Sequence, residues 1–219
     1  MVTKKFYIGA LLLAVAAMAV LLGAARLYDD YKYASIERSV RDFTMESDET
    51  RLLMAYGEAF GKDDKQAYCE ALEANRARQA NRGYTLVSKL RELEKANLLA
   101  DYAQVRRQYY LNNFELWLQQ SAARNDCQMQ TNSTLALFFV DTLTTCNDCI
   151  AQGELLNQIR STCPNLALIT LASDLRISPI DLAKKKFGVT HSPAIVINNV
   201  QTIFEPNTRE ELAKALGCA

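Results

Sequence analysis

Residues 134–149 read TLALFFVDTLTTCNDC, and this stretch decides the fold of the C-terminal part of the chain. Its apolar run, Leu135 to Val140, has the length of a buried strand, and a segment with helical patterning begins at Ile150. Cys146 and Cys149 therefore stand where a strand turns into a helix. The unpaired amides and the dipole of a helix N-terminus stabilise a thiolate, and a cysteine one turn later can close a disulfide with it. The pattern predicts a redox-active cysteine pair.

The composition is that of a globular chain with no bias towards nucleic acid. The chain has 219 residues, of which 49% are hydrophobic and 23% charged, enough for one or two domains with apolar cores. Its 25 basic and 25 acidic residues cancel. Because nucleic-acid binding normally needs a basic excess, we expect no nucleic-acid partner.

An uncharged segment runs from Phe6 to Ala25, after Lys4 and Lys5. As a helix it would be about 30 Å long, which matches the hydrocarbon thickness of a bilayer. The segment predicts a transmembrane helix that acts as an uncleaved signal anchor, and cleavage after Ala25 is the alternative. We then expect a single-pass membrane protein with a short cytoplasmic tip and with its C-terminal domains outside the cytoplasm.

The middle of the chain lacks proline and has few glycines, so it is predicted to be helical. One helix is predicted after an N-cap at Asp63 and a second after a cap at Asp101, with a turn near Leu98. These two helices would form an antiparallel hairpin. An earlier helical stretch, Ile36 to Phe60, is predicted to break near Ser47.

The six cysteines fit an oxidising compartment. Cys69 and Cys127 lie equally far in sequence from the predicted turn at Leu98, so they would face each other in an antiparallel hairpin. Two cysteines can be bridged when their Cα atoms come within about 7 Å. We therefore predict a structural disulfide between Cys69 and Cys127 at the open end of the hairpin.

From Thr134 onwards, short apolar runs alternate with amphipathic helices in the order β-α-β-α-β-β-α. Strands interleaved with helices imply a parallel pair, and the short link from Asn198 to Gln201 implies a closing hairpin. The predicted strands are 135–141, 166–171, 194–197 and 202–204, and the predicted helices are 147–161, 179–187 and 207–216. The predicted domains are accordingly the tip and anchor in residues 1–30, a helical region in 31–130 and an α/β domain in 131–219.

This order of elements, the Cys146-Asn147-Asp148-Cys149 turn and Thr190-His191-Ser192-Pro193 before the third strand resemble the thioredoxin-fold superfamily. The resemblance covers about residues 134–219. It implies that the Pro193 peptide bond is cis, that Pro193 packs against the cysteine pair, and that the backbone of Ser192 hydrogen-bonds an extended substrate segment. The expected fold class is an α/β thioredoxin-like C-terminal domain preceded by a transmembrane helix and an antiparallel helical hairpin.

The chain also departs from the thioredoxins proper, which carry a tryptophan before the first cysteine and a buried acid in the first strand. Here Thr145 precedes Cys146, and Asp141 ends the predicted strand. Two roles remain open for Asp141: a proton acceptor for Cys149, or a cap at the end of the strand.

The activity that the resemblance implies is that of a protein thiol-disulfide oxidoreductase, which needs no cofactor. Cys146 as a thiolate attacks a disulfide of a protein substrate, and Cys149 resolves the mixed disulfide. A membrane redox partner would then recharge the pair. The carboxylate of Asp148 disfavours a second negative charge nearby, so it should raise the pKa of the Cys146 thiol. This favours a reductase or isomerase over an oxidase.

His191 is the only histidine and stands two residues before Pro193. It could modulate the thiolate, supply a third metal ligand, or be a solvated loop residue. A copper-delivery protein that uses Cys146, Cys149 and His191 is therefore an alternative function. A non-catalytic binding module with a permanently closed disulfide is another. Zinc bound by the two cysteines alone would lack two ligands, and we expect no metal in the favoured function.

Cys163 follows the first helix of the α/β segment, and Cys218 ends the last helix. In a thioredoxin fold these two helices lie on the same face of the sheet and run the same way, so their C-terminal ends approach each other. We therefore predict a second structural disulfide, between Cys163 and Cys218.

Overall fold

The computed structural model of the chain describes residues 4–61, 63–127, 133–142, 146–204 and 208–218. The helices are α1 (Lys4–Phe60), α2 (Lys65–Lys95), α3 (Leu99–Asn125), α4 (Asn147–Thr162), α5 (Ser178–Lys186) and α6 (Arg209–Ala215), and the strands are β1 (Thr134–Val140), β2 (Leu166–Ala172), β3 (Ala194–Ile197) and β4 (Gln201–Ile203). The predicted start of the last helix, Asn207, lies outside the described residues.

The chain divides into two compact units, Met1–Arg51 and Leu52–Ala219. The second unit contains α2, α3 and all four strands.

The predicted transmembrane helix, Phe6 to Ala25, is wrong. A helix that crosses a bilayer needs about 20 consecutive, predominantly apolar residues, because the hydrocarbon core is about 30 Å thick. No helix among the described residues combines the length and the apolar character that a membrane crossing requires. The single-pass membrane localisation and the signal anchor, which depended on this helix, are corrected with it.

The predicted fold class is corrected for the same reason. The described residues are mostly helical, their sheet has four strands, and none of their helices is long and apolar enough to cross a membrane. The α/β class was predicted from residues 134–219 alone. Helices α1, α2 and α3 contain far more residues than the four strands, so that class understates the helical content of the chain.

Helix α1 also runs without a break through Ser47, where an interruption was predicted. Serine is only a weak helix breaker, since its cost relative to alanine is a fraction of a kcal/mol. One turn further on, the Thr50 hydroxyl donates a hydrogen bond of 3.0 Å to the Glu46 carbonyl, so a polar side chain is satisfied within the helix itself.

Helices α2 and α3 form the predicted hairpin, with the turn at Ala96 to Leu98. Asn97 in this turn has a φ of 54°, a left-handed conformation that asparagine tolerates better than most residues. The hairpin closes around buried polar groups. The Gln79 side chain accepts from the Gln119 amide at 2.7 Å and donates to Glu115 at 2.9 Å.

The sheet has the strand order β2-β1-β3-β4. Strand β1 pairs in parallel with β2 and antiparallel with β3, and β3 pairs antiparallel with β4. β1 lies at the centre of the core, where Leu135, Leu137 and Phe139 are fully buried. Between β3 and β4, Asn198 and Asn199 both have positive φ, 53° and 60°. Three residues connect the two strands, and the Val200 amide donates a hydrogen bond of 3.0 Å to the Ile197 carbonyl. Two successive left-handed residues at the centre of such a turn favour asparagine, which tolerates this conformation.

Helix α3 joins the hairpin to the sheet. The Trp117 indole donates to the Asn199 side chain at 2.9 Å, and the Arg124 guanidinium donates to Asn198 at 2.7 Å. At the opposite edge of the sheet, the Asn113 amide donates to the Thr170 carbonyl of β2 at 2.9 Å. Unpaired backbone groups on an edge strand invite pairing with another chain, and this hydrogen bond occupies one carbonyl of β2.

Candidate functional site

Three chain segments meet at one end of the sheet. Val140, the last residue of β1, is paired with Ala172, the last residue of β2. Phe139 is paired with Ala194, the first residue of β3. The residues that directly follow β1, the segment after β2 and the loop that ends at Pro193 therefore all lie at this end. Strand register by itself therefore brings the two predicted parts of the site, the cysteine pair and the Ser192–Pro193 segment, to the same end of the sheet.

The cysteine pair occupies the N-terminus of α4. Cys146 is the N-cap residue, and its sulfur accepts a hydrogen bond from the Cys149 amide at 3.2 Å. The two sulfurs form a disulfide with a Cα–Cα distance of 5.2 Å. Cys146 is half-buried, whereas Cys149 is only 1% exposed. Asp148 lies exposed in the first turn, where a negative charge interacts favourably with the helix dipole.

The loop before β3 has the predicted cis peptide bond between Ser192 and Pro193. Pro193 is buried and Ser192 half-buried, and the buried Ser192 hydroxyl has no hydrogen-bond partner among the described residues. His191 is exposed. Its ring stacks on Phe204 with the ring centres 4.8 Å apart, and its Nδ1 lies 3.1 Å from the Thr190 hydroxyl.

His191 is not brought together with the cysteines as a metal site. Within the described part of the chain, no group of three or more histidine, cysteine, aspartate or glutamate side chains has an arrangement able to hold a metal ion. Both sulfurs of the pair are also bonded to each other. The His191 ring packs on Phe204 instead of joining a group of metal ligands. The geometry therefore does not favour copper binding by Cys146, Cys149 and His191.

The other four cysteines are paired as the sequence predicted. Cys69 is bonded to Cys127 and Cys163 to Cys218, each with a Cα–Cα distance of 5.6 Å. The first bond closes the open end of the hairpin, beside a small cluster built on Tyr68. The second ties the end of α4 to the end of α6. Of the three disulfides within the described residues, only Cys146–Cys149 involves the N-cap residue of a helix.

A polar network beside the pair was not predicted. Arg106 on α3 forms an ion pair of 2.8 Å with Asp174, which follows β2. Asp174 also accepts a hydrogen bond from the Thr142 hydroxyl. The Thr142 carbonyl in turn accepts from the Cys146 amide at 3.2 Å. A chain of contacts therefore runs from the helical hairpin to the residue that caps α4.

The electrostatics of this network favour its charged form. Partial burial of Asp174 would by itself raise its pKa, but hydrogen bonds from Thr142 and Arg106 and the charge of Arg106 outweigh this and lower it. The guanidinium of Arg106 also lies over the Tyr110 ring, 5.6 Å from its centre. Burial raises the pKa of Tyr110 to about 12 against the opposing charge of Arg106, so this ring stays neutral.

Gln152, one turn after Cys149 on α4, is a further residue that was missed. It is 1% exposed, and neither polar atom of its amide has a hydrogen-bond partner within the described residues. The signal in the sequence was a glutamine in the apolar stripe of α4, in line with Cys149, Leu156 and Ile159. A buried amide left without partners is unusual in a native protein and calls for an explanation.

The chain matches no protein-family model, and a comparison with curated proteins also finds no match. The function must therefore be inferred from the site itself.

Proposed function

We propose that the chain catalyses thiol-disulfide exchange through Cys146 and Cys149, without a cofactor, on protein substrates that carry disulfides or thiols. The observation that carries the proposal is the unequal burial of the pair at a helix N-terminus. Cys146 is partly exposed, and its sulfur accepts a hydrogen bond of 3.2 Å from the Cys149 amide. Cys149 is only 1% exposed. An accessible sulfur stabilised as a thiolate suits attack, and a sheltered sulfur one turn away suits resolution.

In the reducing direction, the Cys146 thiolate attacks one sulfur of a substrate disulfide. The substrate S–S bond breaks, and the departing sulfur takes a proton from solvent. Cys149 then loses its proton and attacks the Cys146 sulfur of the mixed disulfide, which releases the second substrate thiol and forms the Cys146–Cys149 bond. Two electrons have passed to the substrate, and a dithiol redox partner must return two to the pair.

The cis Ser192–Pro193 segment supports a binding role next to the pair, because strand register puts both at one end of the sheet. We propose that the backbone of Ser192 pairs with an extended substrate segment, in the manner of strand addition. The resemblance of about residues 134–219 to the thioredoxin-fold superfamily supports the same assignment.

We further propose that reduction or isomerisation of substrates is favoured over oxidation. Asp148 directly precedes Cys149 and is two residues after Cys146, in the first turn of α4. A negative charge there opposes a second one on the Cys146 sulfur, so the reduced pair is less stabilised than beside a neutral residue. A less stabilised reduced form donates its electrons more readily.

The test is insulin reduction by dithiothreitol in the presence of the full-length chain. The wild-type protein should accelerate precipitation of the insulin B chain, and Cys146→Ser should abolish the acceleration. The matched control is Cys163→Ser with Cys218→Ser, which also removes a disulfide but leaves the α4 N-terminus intact and should retain activity. Equal rates for wild type and Cys146→Ser would refute the proposal.

A Cys149→Ala variant identifies substrates, because a mixed disulfide on Cys146 then has no resolving sulfur. Stable adducts that dithiothreitol releases are expected. If instead the Cys146–Cys149 bond of the native wild-type protein resists glutathione and dithiothreitol, the pair is a closed structural link and the chain is a non-catalytic binding module.

A further inference from the structure

The orphaned amide of Gln152 lies on the same helical face as the resolving cysteine. Residues three apart on a helix are neighbours, with Cβ atoms about 5–6 Å apart. Helical side chains also lean back towards the N-terminus, so the side chain of Gln152 leans towards the turn that contains Cys149. Both residues are 1% exposed, which excludes bulk water from the space between them.

The amide lacks a partner in the state in which the cysteines are bonded to each other. In the oxidised protein the Cys149 sulfur is bonded to Cys146, and the Gln152 amide makes no hydrogen bond to it. Reduction turns this sulfur into a thiol or thiolate, which accepts hydrogen bonds and, as a thiol, donates one. A buried thiolate is costly without a hydrogen-bond donor, and within the described residues Gln152 is an unpartnered amide on the same helical face.

We propose that the Gln152 amide is the internal hydrogen-bond partner of the Cys149 sulfur in the reduced protein. This inference rests on the proposed function only in that the pair must be able to open. The hydrogen bond forms in the reduced state and is absent in the oxidised one, so Gln152 stabilises the reduced pair selectively. It thereby moderates how strongly the protein donates electrons, and it holds the resolving sulfur in place until the mixed disulfide forms.

The chemistry balances with glutathione as the reductant. Two glutathione thiols give up two electrons and two protons and become glutathione disulfide. The Cys146–Cys149 bond accepts both electrons, and the two sulfurs take up the two protons. Gln152 neither gains nor loses a proton in this exchange. It changes the equilibrium constant only by stabilising the product, the reduced cysteine pair.

The decisive measurement is the equilibrium constant of the pair with glutathione, for full-length wild type, Gln152→Met and Leu156→Met. Methionine matches glutamine in length and keeps the site filled, but it offers no amide. Leu156→Met changes the same buried face one turn further on. Alkylation followed by peptide mass mapping reads Cys146 and Cys149 separately from the other cysteines.

Gln152→Met should shift the equilibrium about tenfold towards the oxidised form, which for a two-electron couple corresponds to about 30 mV. Leu156→Met should stay within about twofold of wild type, as substitutions that conserve core volume usually do. A Gln152→Met constant equal to that of wild type overturns the inference. An equal shift in Leu156→Met also overturns it, because packing would then explain both.

If Gln152→Met does not fold, the wild-type protein still decides the matter by nuclear magnetic resonance. The side-chain amide protons of Gln152 should move downfield and exchange more slowly with solvent after reduction. Unchanged resonances overturn the inference. Insulin reduction separates this result from the proposed function: an inactive wild type with a shifted Gln152→Met equilibrium contradicts the function alone, and an active wild type without that shift contradicts the role of Gln152 alone.

Discussion

The guanidinium of Arg106 and the carboxylate of Asp174 lie 2.8 Å apart, although 68 residues separate them in sequence. Their side chains are 15% and 24% exposed. Asp174 also accepts a hydrogen bond from the Thr142 hydroxyl, and the Thr142 carbonyl accepts one from the Cys146 amide. The pair is therefore part of a chain of contacts from the helical hairpin to Cys146, the residue that caps α4.

Asp174→Asn should lower the free energy of unfolding at pH 7 by about 1–3 kcal/mol, because it leaves the Arg106 charge without its counter-charge. The folded-state pKa of Asp174 is lowered. Its contribution to stability is therefore fully present above its unfolded pKa of about 3.9 and is lost as the pH falls through the folded value. Urea unfolding of both proteins from pH 3 to 8 should show a constant difference above about pH 5 that shrinks below pH 4. Glu154→Gln, the same change of charge at an exposed position of α4, should show neither effect.

Gln79→Leu should destabilise the hairpin by about 1–3 kcal/mol, because the buried Gln119 amide loses the oxygen to which it donates. Replacing both partners by leucine should cost less than the sum of the single changes, since two apolar groups leave no polar atom of that pair unsatisfied. Urea unfolding of the two single variants and the double variant gives the coupling energy. Strictly additive costs would show that the two side chains do not depend on each other.

Removing the Cys69–Cys127 disulfide by alanine substitution should cost about 2–5 kcal/mol, because the bond restricts a long loop of the unfolded chain. Removal of Cys163–Cys218 should cost a similar amount, since the two sequence separations are 58 and 55. Thermal unfolding of both variants measures this. Limited proteolysis should then cut the first variant near the open end of the hairpin and the second near α6. Identical cleavage patterns would contradict the positions of these bonds.

Asp148→Asn should raise the rate at which iodoacetamide alkylates reduced Cys146 at pH 7 by about twofold to fivefold, because a nearby negative charge no longer opposes the thiolate. The difference should vanish at a pH high enough to ionise the thiol in both proteins. Glu154→Gln again serves as the control for net charge. Equal rates at pH 7 would show that Asp148 does not influence the Cys146 sulfur, and the proposed preference for reduction would lose its basis.

Much of the local structure can be predicted from the sequence. The turn at Asn97, the start of α4 at Asn147 and the hairpin at Asn198 all depend on residues within one or two turns of each other. The Cys69–Cys127 pairing follows from two helices of similar length on either side of one turn. Local sequence signals mislead where they are taken alone. A break was predicted at Ser47 within a continuous helix, and the uncharged run from Phe6 to Ala25 predicted a membrane crossing that the structure does not support.

The sequence by itself determined that Cys146 and Cys149 would stand at a helix N-terminus, because strand and helix patterning are encoded by neighbouring residues. It did not determine that Arg106 would reach Asp174, or that the Gln152 amide would be buried without a partner. Those relationships depend on how α3 packs against the sheet and how α4 covers β1. Only tertiary packing decides them, since burial and long-range pairing arise from surfaces that come together after the local elements have formed.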